Sequence, residues 1–257
     1  MKSFFARLKI IHALLVRDAL RKYGHENLGF FWVVVEPMCF TVGIIVLWNL
    51  MGRGEGHGNI SITAFALTAY TMLTLWRHLS QGFMHILRFN AGVLYHAHIR
   101  PFDIMLARGL LETFGCLGTF FMVYVPLTLL DVIDPWRDPL LLFGGWFLGA
   151  WFSFSFGVMI GALSEMSEVL ERIIHPAMYL TLPLTGAFTM QDWMPEKARD
   201  FLGYSPLVNT FEMFRAGMFD ADVVTYWSVP YVLWWCLGLS VLGLFLVGRA
   251  RSYIFIY

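Results

Sequence analysis

Residues 140–163 read LLLFGGWFLGAWFSFSFGVMIGAL, an uninterrupted run of 24 residues without a charged side chain. A helix of that length spans about 36 Å, enough to cross the hydrocarbon core of a bilayer. Small residues let helices approach one another closely in lipid. We therefore predict a membrane-spanning helix that packs against other helices through its glycines, which are Gly144, Gly145, Gly149, Gly157 and Gly161.

The rest of the chain repeats this pattern of long apolar runs separated by short polar clusters. Of its 257 residues 58% are hydrophobic and 14% are charged, whereas soluble domains carry about 25% charged residues. We predict an all-α membrane protein with six spans, forming one domain over residues 1–257. The other five spans are predicted at 30–51, at 62–76 with a continuation toward 83, at 104–130, from 173 with kinks at Pro176 and Pro183, and at 230–248.

The distribution of basic residues predicts the orientation. With the N-terminus inside and six spans, the inner segments hold 13 of the 18 Lys and Arg residues and the outer loops hold five. The positive-inside rule then favours both termini in the cytoplasm. An acidic turn at Glu165, Glu168 and Glu171 also lies inside, but acidic residues contribute little to the rule. Residues 188–228 lie outside, where two short amphipathic helices fit near 196–202 and 210–219.

The first 22 residues have the pattern of an amphipathic helix. Phe4, Leu8, Ile11 and Leu15 recur at helical spacing on one face, and the basic residues lie mostly elsewhere. Such a helix is typical of the membrane interface. The alternative is an ordinary cytoplasmic helix packed on a partner. Because basic residues are spread through this segment, we expect no cleavable signal peptide.

The sequence contains no motif of an enzyme or a metal site. Walker, HExxH and GxSxG motifs are all missing from the sequence. The glycine-rich stretch 52–59 reads as a turn and not as a phosphate loop. The net charge of zero gives no bias toward nucleic acid. We expect the histidines of residues 77–101 to be solvated loop residues and the cysteines to be small buried hydrophobes; these are His78, His85, His96 and His98, and Cys39, Cys116 and Cys236.

Two groups of side chains within the spans leave alternatives open. Arg108 and Glu112 are four residues apart, so they can pair on one helix face. They form either a structural pair or a charged site at the inner mouth of a conduit. The tryptophans near span ends, Trp32 among them, read either as interfacial anchors or as faces on which sugar rings stack.

Three ordered motifs resemble those of type-2 ABC exporter permeases, and most closely their capsular polysaccharide branch, the KpsM-like proteins. The first comprises Ala13-Leu14-Leu15-Val16-Arg17-Asp18, Arg21-Lys22-Tyr23-Gly24, Leu28-Gly29-Phe30-Phe31-Trp32 and Glu36-Pro37. The second comprises Asn90, Leu94, Arg100-Pro101-Phe102-Asp103, Leu106-Ala107-Arg108 and Leu111-Glu112. The third comprises Pro195, Arg199, Ser205-Pro206-Leu207, Glu212 and Arg215. The family more often has Asn-Pro-Leu at 205–207 and a proline near His96.

The resemblance implies a homodimer of six-span subunits in the bacterial inner membrane. Each subunit would pair with a separate cytoplasmic ATP-binding cassette subunit that binds ATP and Mg, so this chain would hold no cofactor and would not itself be an enzyme. The cargo would be a lipid-linked acidic capsular polysaccharide, passed on to a periplasmic adaptor and an outer-membrane export protein. Residues 1–22 would be the interface helix, residues 84–98 the cytoplasmic coupling helix, and residues 188–228 a periplasmic re-entrant segment.

The resemblance also selects candidate site residues. Those expected to couple to the ATPase are His85, Arg88, Phe89, Asn90, Val93 and Leu94. Those expected at the substrate entry or path are Arg88, Arg100, Arg108, Glu112, Trp32 and Tyr179. The periplasmic motif is represented by Pro206, Glu212 and Arg215.

Three alternative functions stay open at this point. The same fold could export O-antigen, teichoic acid or another lipid-linked glycan. An ATPase-independent transporter or channel would show broken helices in internal repeats, and no repeat is evident. A membrane-bound glycosyl or acyl transferase would need clustered acidic or histidine residues at matched depth.

Overall fold

The computed structural model describes residues 2–23, 29–50, 60–95 and 98–254. Some of the predicted features lie outside these described ranges. These features are the glycine-rich turn at 52–59, residues 96–97 of the predicted coupling helix, and the motif positions Gly24 and Leu28.

Across the described residues the chain is helical, without a β-strand. The helices are α1 (Lys2–Tyr23), α2 (Gly29–Leu50), α3 (Ile62–Gly82), α4 (Ile86–Phe89), α5 (Ala91–Leu94), α6 (Pro101–Leu129), α7 (Pro139–Met166), α8 (Glu168–Thr181), α9 (Glu196–Gly203), α10 (Pro206–Met218) and α11 (Val229–Ile254). Two 3-10 turns, Leu182–Thr185 and Gln191–Trp193, lie between α8 and α9. The predicted all-α class is confirmed.

Four helices of the described chain are long and apolar enough to cross a membrane. They are Phe31–Leu50, Pro101–Leu129, Pro139–Met166 and Val229–Ala250, at the positions predicted for the first, third, fourth and sixth spans. The helices at the other two predicted spans, α3 and α8, differ from these four. α3 is more polar, with four threonines and Arg77 and His78 near its end. α8 has 14 residues and is therefore about 21 Å long.

The polarity of α3 follows from its position in the bundle. Sixteen of its 21 residues are buried, and it packs against α2, α6, α7 and α10. Three of its four threonine hydroxyls donate to carbonyl oxygens in the preceding turn, as Thr71 does to Leu67 at 2.6 Å and Thr74 to Tyr70 at 2.7 Å. A helix enclosed by protein does not need an apolar surface toward lipid, so its mean hydropathy is lower than that of a helix that faces lipid.

Capping residues explain where three of the helices begin. The Asp138 side chain accepts hydrogen bonds from the N–H groups of Leu140 and Leu141 at the start of α7. The Asp103 carboxylate accepts from the Arg100 N–H at 2.9 Å at the start of α6. Ser205 caps α10. In all three a proline occupies the first helical position, where its missing N–H costs nothing. The Arg-Pro-Phe-Asp and Ser-Pro-Leu motifs are therefore helix starts.

α7 lies at the centre of the bundle and packs against α3, α8, α10 and α11. Its glycines allow this. A Cβ added at Gly145 would lie 2.5 Å from the backbone nitrogen of Phe214 in α10, and one at Gly161 would lie 2.7 Å from the carbonyl oxygen of Phe83. One at Gly157 would collide with the Leu79 carbonyl oxygen of α3. The predicted close packing of this helix through glycine is confirmed.

α1 packs along α6 and α2, and the apolar face of Leu8, Ile11 and Leu15 is not its most buried side. Leu8 is 46% exposed and Ile11 and Leu15 are half-buried, whereas Leu14 and Ala19 are buried. The packed side also holds Asp18, which is buried and pairs with Arg17 at 2.6 Å. That the more open face of Leu8, Ile11 and Leu15 lies in the membrane interface stays a prediction.

Two smaller predictions also need correction. The second outer helix, α10, was expected to be amphipathic, but 12 of its 13 residues are buried because it packs against α7, α3 and α11. Cys39 is exposed on the outward side of α2, so it is not a buried hydrophobe. Cys116 and Cys236 are buried as predicted.

We expect Gly145→Ala to destabilise the bundle by about 1–3 kcal/mol, because the new methyl group must displace the backbone of α10. The readout is the fraction of detergent-solubilised protein that remains monodisperse after heating. Gly238→Ala in α11 is the matched control, since nothing lies within 4 Å of a Cβ there and alanine favours the helix. Equal thermal stability of the two variants would contradict the role assigned to Gly145.

Candidate functional site

The segment of residues 84–95, here called the coupling segment, joins α3 to α6 at one end of the bundle. It contains the one-turn helices α4 and α5, which are separated at Asn90. His85, with a φ of 58°, has the left-handed conformation that few non-glycine residues adopt. It turns the chain out of the direction of α3, so the described part of the predicted coupling helix is two short helices.

Glu165, in the last turn of α7, binds the coupling segment. Its side chain is 1% exposed; one oxygen accepts from the Arg88 backbone N–H at 3.0 Å and the other lies 3.5 Å from the Arg88 Nε. A second link joins His85 Nε2 to a carboxylate oxygen of Glu171 in α8 at 2.9 Å. The acidic turn between α7 and α8 therefore attaches the coupling segment through two separate contacts.

A third link runs from the coupling segment to α1. The Arg17 guanidinium donates to the Asn90 side-chain oxygen at 2.7 Å, and the Asn90 amide nitrogen donates to the Ile86 carbonyl at 2.7 Å. Asn90 and Leu94 are themselves buried. The coupling segment is thus fixed to α1, α7 and α8 at once.

The outward side of the coupling segment carries two large aromatic side chains. Phe89 is 68% exposed and Tyr95 is 76% exposed, while Val93 is half-buried. Sequence reasoning selected Phe89 and Val93 but missed Tyr95. Of the six predicted coupling residues, Phe89 therefore points outward and Val93 is half-buried. Arg88 contacts α7, His85 contacts α8, and Asn90 and Leu94 are buried.

A polar cluster joins α3 and α6 near the same end. Arg108 and Glu112 pair at 2.7 Å, as their spacing predicts, and His78 Nδ1 lies 2.8 Å from the other Glu112 oxygen. The Glu112 side chain is 2% exposed. The prediction of solvated loop histidines is wrong for His78 and His85. α3 continues past Trp76 to Gly82, which puts His78 in a helix, and both rings contact carboxylates.

Of the residues predicted at the substrate entry, the structure pairs Arg108 with Glu112 but does not bring all six to one cavity. Arg88 lines a cavity of about 380 Å³ beside α8, whereas Arg108 lines a different cavity of about 340 Å³ beside Asp18 and Asn90. Arg100 lines neither cavity and is the N-cap residue just before α6. Trp32 and Tyr179 are exposed on α2 and α8. Among the described side chains, no group of three or more His, Cys, Asp or Glu residues could hold a metal ion.

At the opposite end of the bundle, Arg215 of α10 fastens the chain that follows α8. Its side chain is fully buried and donates to the carbonyl oxygens of Gly186 at 2.9 Å, Ala187 at 3.1 Å and Thr189 at 3.2 Å. Its guanidinium carbon lies 4.5 Å from the centre of the Phe65 ring of α3, a cation–π contact. We call Arg215 and Glu212 together the outer clamp.

Glu212 completes the outer clamp from the same face of α10. Its carboxylate lies 3.5 Å from Arg215 Nη1 and accepts the N–H groups of Gln191 at 3.4 Å and Tyr226 at 3.3 Å. Burial lowers the pKa of Arg215 to about 10 and raises the pKa of Glu212, with the charge of each partner acting in the opposite sense. Arg215 therefore stays a cation at neutral pH. The third predicted residue, Pro206, starts this helix.

We expect Arg215→Met to destabilise the protein by about 3–5 kcal/mol, because it leaves Glu212 buried without its cation. Thermal unfolding in detergent measures the loss, and Glu212→Gln combined with Arg215→Met should recover part of it. Arg199→Met is the matched control, since Arg199 also stacks on an aromatic ring, that of Tyr226, at 4.9 Å. A loss no larger than that of the control would rule out a stabilising outer clamp.

Comparison with known proteins identifies the family of this chain. A family profile described as ABC-2 type transporter matches residues 10–219. The capsule polysaccharide export inner-membrane protein BexB of Haemophilus influenzae is 33% identical over 239 residues, covering 93% of this chain and 90% of BexB. CtrC of Neisseria meningitidis serogroup B, which has the same description, is 32% identical over 248 residues, covering 96% and 93%. The polysialic acid transport protein KpsM of Escherichia coli is 22% identical over 246 residues, covering 91% and 90%. This chain belongs to the ABC-2 type transporter family.

Proposed function

We propose that this chain is the permease subunit of an ATP-driven exporter that moves a lipid-linked acidic capsular polysaccharide from the cytoplasm across the bacterial inner membrane. One observation carries the mechanism. The coupling segment is fixed to α1, α7 and α8 while it presents Phe89 and Tyr95 outward. A segment attached in this way can transmit a displacement of a bound ATPase subunit to three helices. BexB and CtrC are described as capsule polysaccharide export proteins, which supports capsular polysaccharide as the cargo.

We propose six spans with both termini in the cytoplasm. α3 would be the second span, and α8 with the following 3-10 turn would be the fifth. The contacts support this order, because Arg88 after α3 meets Glu165 at the end of α7, which requires the two helix ends to lie on one side. The outer clamp lies at the other end of the bundle, beside Phe65 near the start of α3. Residues 188–228 would then be the periplasmic re-entrant segment.

The proposal requires partners. Two separate ATP-binding cassette subunits would bind ATP and Mg and dock on the coupling segments of a permease homodimer. A single six-span bundle is too narrow to surround a glycan chain, whereas two bundles can enclose a path between them. A periplasmic adaptor and an outer-membrane export protein would receive the polymer. This chain would supply no catalytic residue.

The test of the proposed function is co-purification with the ATPase. We expect a tagged permease to bring down an ATP-binding cassette subunit in equal stoichiometry. Phe89→Ala should weaken this association about tenfold, because exposed aromatic side chains are frequent hot spots of interfaces. Phe201→Ala is the matched control, since Phe201 is 66% exposed on α9 in the outer segment. A permease that purifies alone, with no ATP hydrolysis, would refute the exporter.

A second prediction concerns transmission through Glu165. We expect Glu165→Ala to leave the ATPase bound and hydrolysing ATP while polysaccharide export falls about tenfold, because the coupling segment loses its attachment to α7 and the Arg88 N–H loses its acceptor. Surface polysaccharide in cells lacking their own permease measures export.

The conservative and distant variants separate transmission from folding. Glu165→Gln keeps an acceptor for the Arg88 N–H and should restore part of the export. Glu196→Ala, on an exposed position of α9, should leave export unchanged. If Glu165→Ala exported normally, the link between α7 and the coupling segment would have no role in transmission.

A further inference from the structure

We propose that a groove on the exposed side of α11 binds one acyl chain of a membrane phospholipid. The groove has a volume of about 310 Å³. It contains Gly238, and nothing lies within 4 Å of a Cβ added there. The lining residues all belong to α11 and recur at spacings of three or four residues, which places them on one side of the helix; they are Tyr231, Trp234, Trp235, Gly238, Leu239 and Leu242.

The groove opens away from the helix bundle. α11 is one of the four helices that are long and apolar enough to cross a membrane, and it packs mainly against α7. Trp234 is 76% exposed and Trp235 is 44% exposed. No described side chain fills the space at Gly238, and the hydrocarbon core holds no water to fill it. An unfilled gap forfeits dispersion attraction, so this space is one that a lipid chain fills.

The length of the groove matches one leaflet of the bilayer. Tyr231 and Leu242 are eleven residues apart, which is about 16 Å along a helix, and half of the hydrocarbon core is about 15 Å thick. The start of α11 lies at the end of the bundle that carries the outer clamp, because the Ser228 N–H donates to the Asn209 side-chain oxygen of α10 at 3.0 Å. Tyrosine and tryptophan favour the membrane interface. Tyr231 therefore lies at headgroup level, and Leu242 lies toward the bilayer centre.

The groove recognises the shape of a chain and not the charge of a headgroup. None of its lining residues is charged. The flat indole rings and the missing side chain at Gly238 leave room for a straight methylene chain, whereas methyl branches would make the chain wider. A second copy of the protein fits this surface poorly. A stable interface buries about 800 Å² on each partner, and one helix side of about 16 Å by 10 Å offers about 160 Å².

Tyr231 connects the groove to the short helix α9. Its hydroxyl donates to the carbonyl oxygen of Tyr204, the residue that follows α9, at 2.7 Å. A chain packed against Tyr231 restricts the ring that makes this hydrogen bond, so the bound lipid stabilises the junction between α9 and α11. A ligand that binds only the folded protein raises its thermal stability. We therefore expect the protein with a filled groove to unfold at a higher temperature.

The experiment compares the full-length wild-type chain with Gly238→Leu, whose new side chain fills the groove. Both are reconstituted with dioleoylphosphatidylcholine, transferred to detergent and examined by native mass spectrometry, which counts the phospholipids that each chain retains. We expect the wild type to retain a phospholipid that Gly238→Leu loses, and to unfold at a temperature about 2–4 °C higher. Dioleoylphosphatidylglycerol should be retained equally well, because the groove carries no charge. Diphytanoylphosphatidylcholine should not be retained, because its chains are branched.

Gly248→Leu is the matched control, because Gly248 is also an open glycine of α11 but does not line the groove. Trp234→Ala removes a wall of the groove without filling it and should also lose the lipid, which separates loss of the site from a defect caused by the added leucine.

Three results would overturn the site. The first is equal lipid retention by Gly238→Leu and Gly248→Leu. The second is retention that follows headgroup charge or tolerates branched chains. The third is loss of a dimer in Gly238→Leu, which would make a second copy the occupant. The measurement involves neither the ATPase nor the polysaccharide, so its failure leaves the proposed export function standing, and failure of export leaves the groove standing.

Discussion

The backbone contacts made through the glycines of α7 are the constraint on which the bundle depends. Lipid tails are as apolar as leucine side chains, so helices in a membrane are not driven together by the hydrophobic effect. What remains is close packing, and dispersion attraction falls steeply when a gap opens between surfaces. At Gly145 and Gly157 the side chain is so small that the backbones of α10 and α3 reach α7 directly. A larger residue at either position would move the neighbouring helix away.

α7 also fixes the positions of the two polar ends. Just before its start, the N–H groups of Arg137 and Asp138 donate to the Gly217 carbonyl of α10 at 3.0 and 2.9 Å. These bonds fix α10, and with it the outer clamp, against the start of α7. At its end, Glu165 holds the coupling segment. The two ends are therefore connected by one helix of 28 residues, about 42 Å long. Their separation does not depend on the loops, because the same helix binds both.

The sequence predicts the helices better than it predicts what they contact. Proline after a polar capping residue marks the starts of α6, α7 and α10, and glycine spacing marks α7 as a packing helix. The pairing of Arg108 with Glu112 follows from helical spacing. The contact of Arg17 with Asn90 spans 73 residues and leaves no periodic signal. The Glu165 and Glu171 contacts had one available signal, since an acidic turn and a basic segment were both predicted inside. α3 shows the opposite error, because hydropathy measures composition and not enclosure by other helices.

The two polar ends differ in how firmly they are held. Arg215 is completely buried, with three carbonyl acceptors and a carboxylate, and separating a buried pair of this kind costs about 3–5 kcal/mol. Arg88 is 45% exposed, and pairs with an exposed partner contribute about 0–1 kcal/mol. His85 and Arg17 each hold the coupling segment through one partly exposed side-chain contact, and the Arg88 backbone N–H adds a hydrogen bond to Glu165. We therefore expect a force applied to the coupling segment to rearrange these inner contacts before it reaches the outer clamp, so that the inner end moves while the outer end stays assembled.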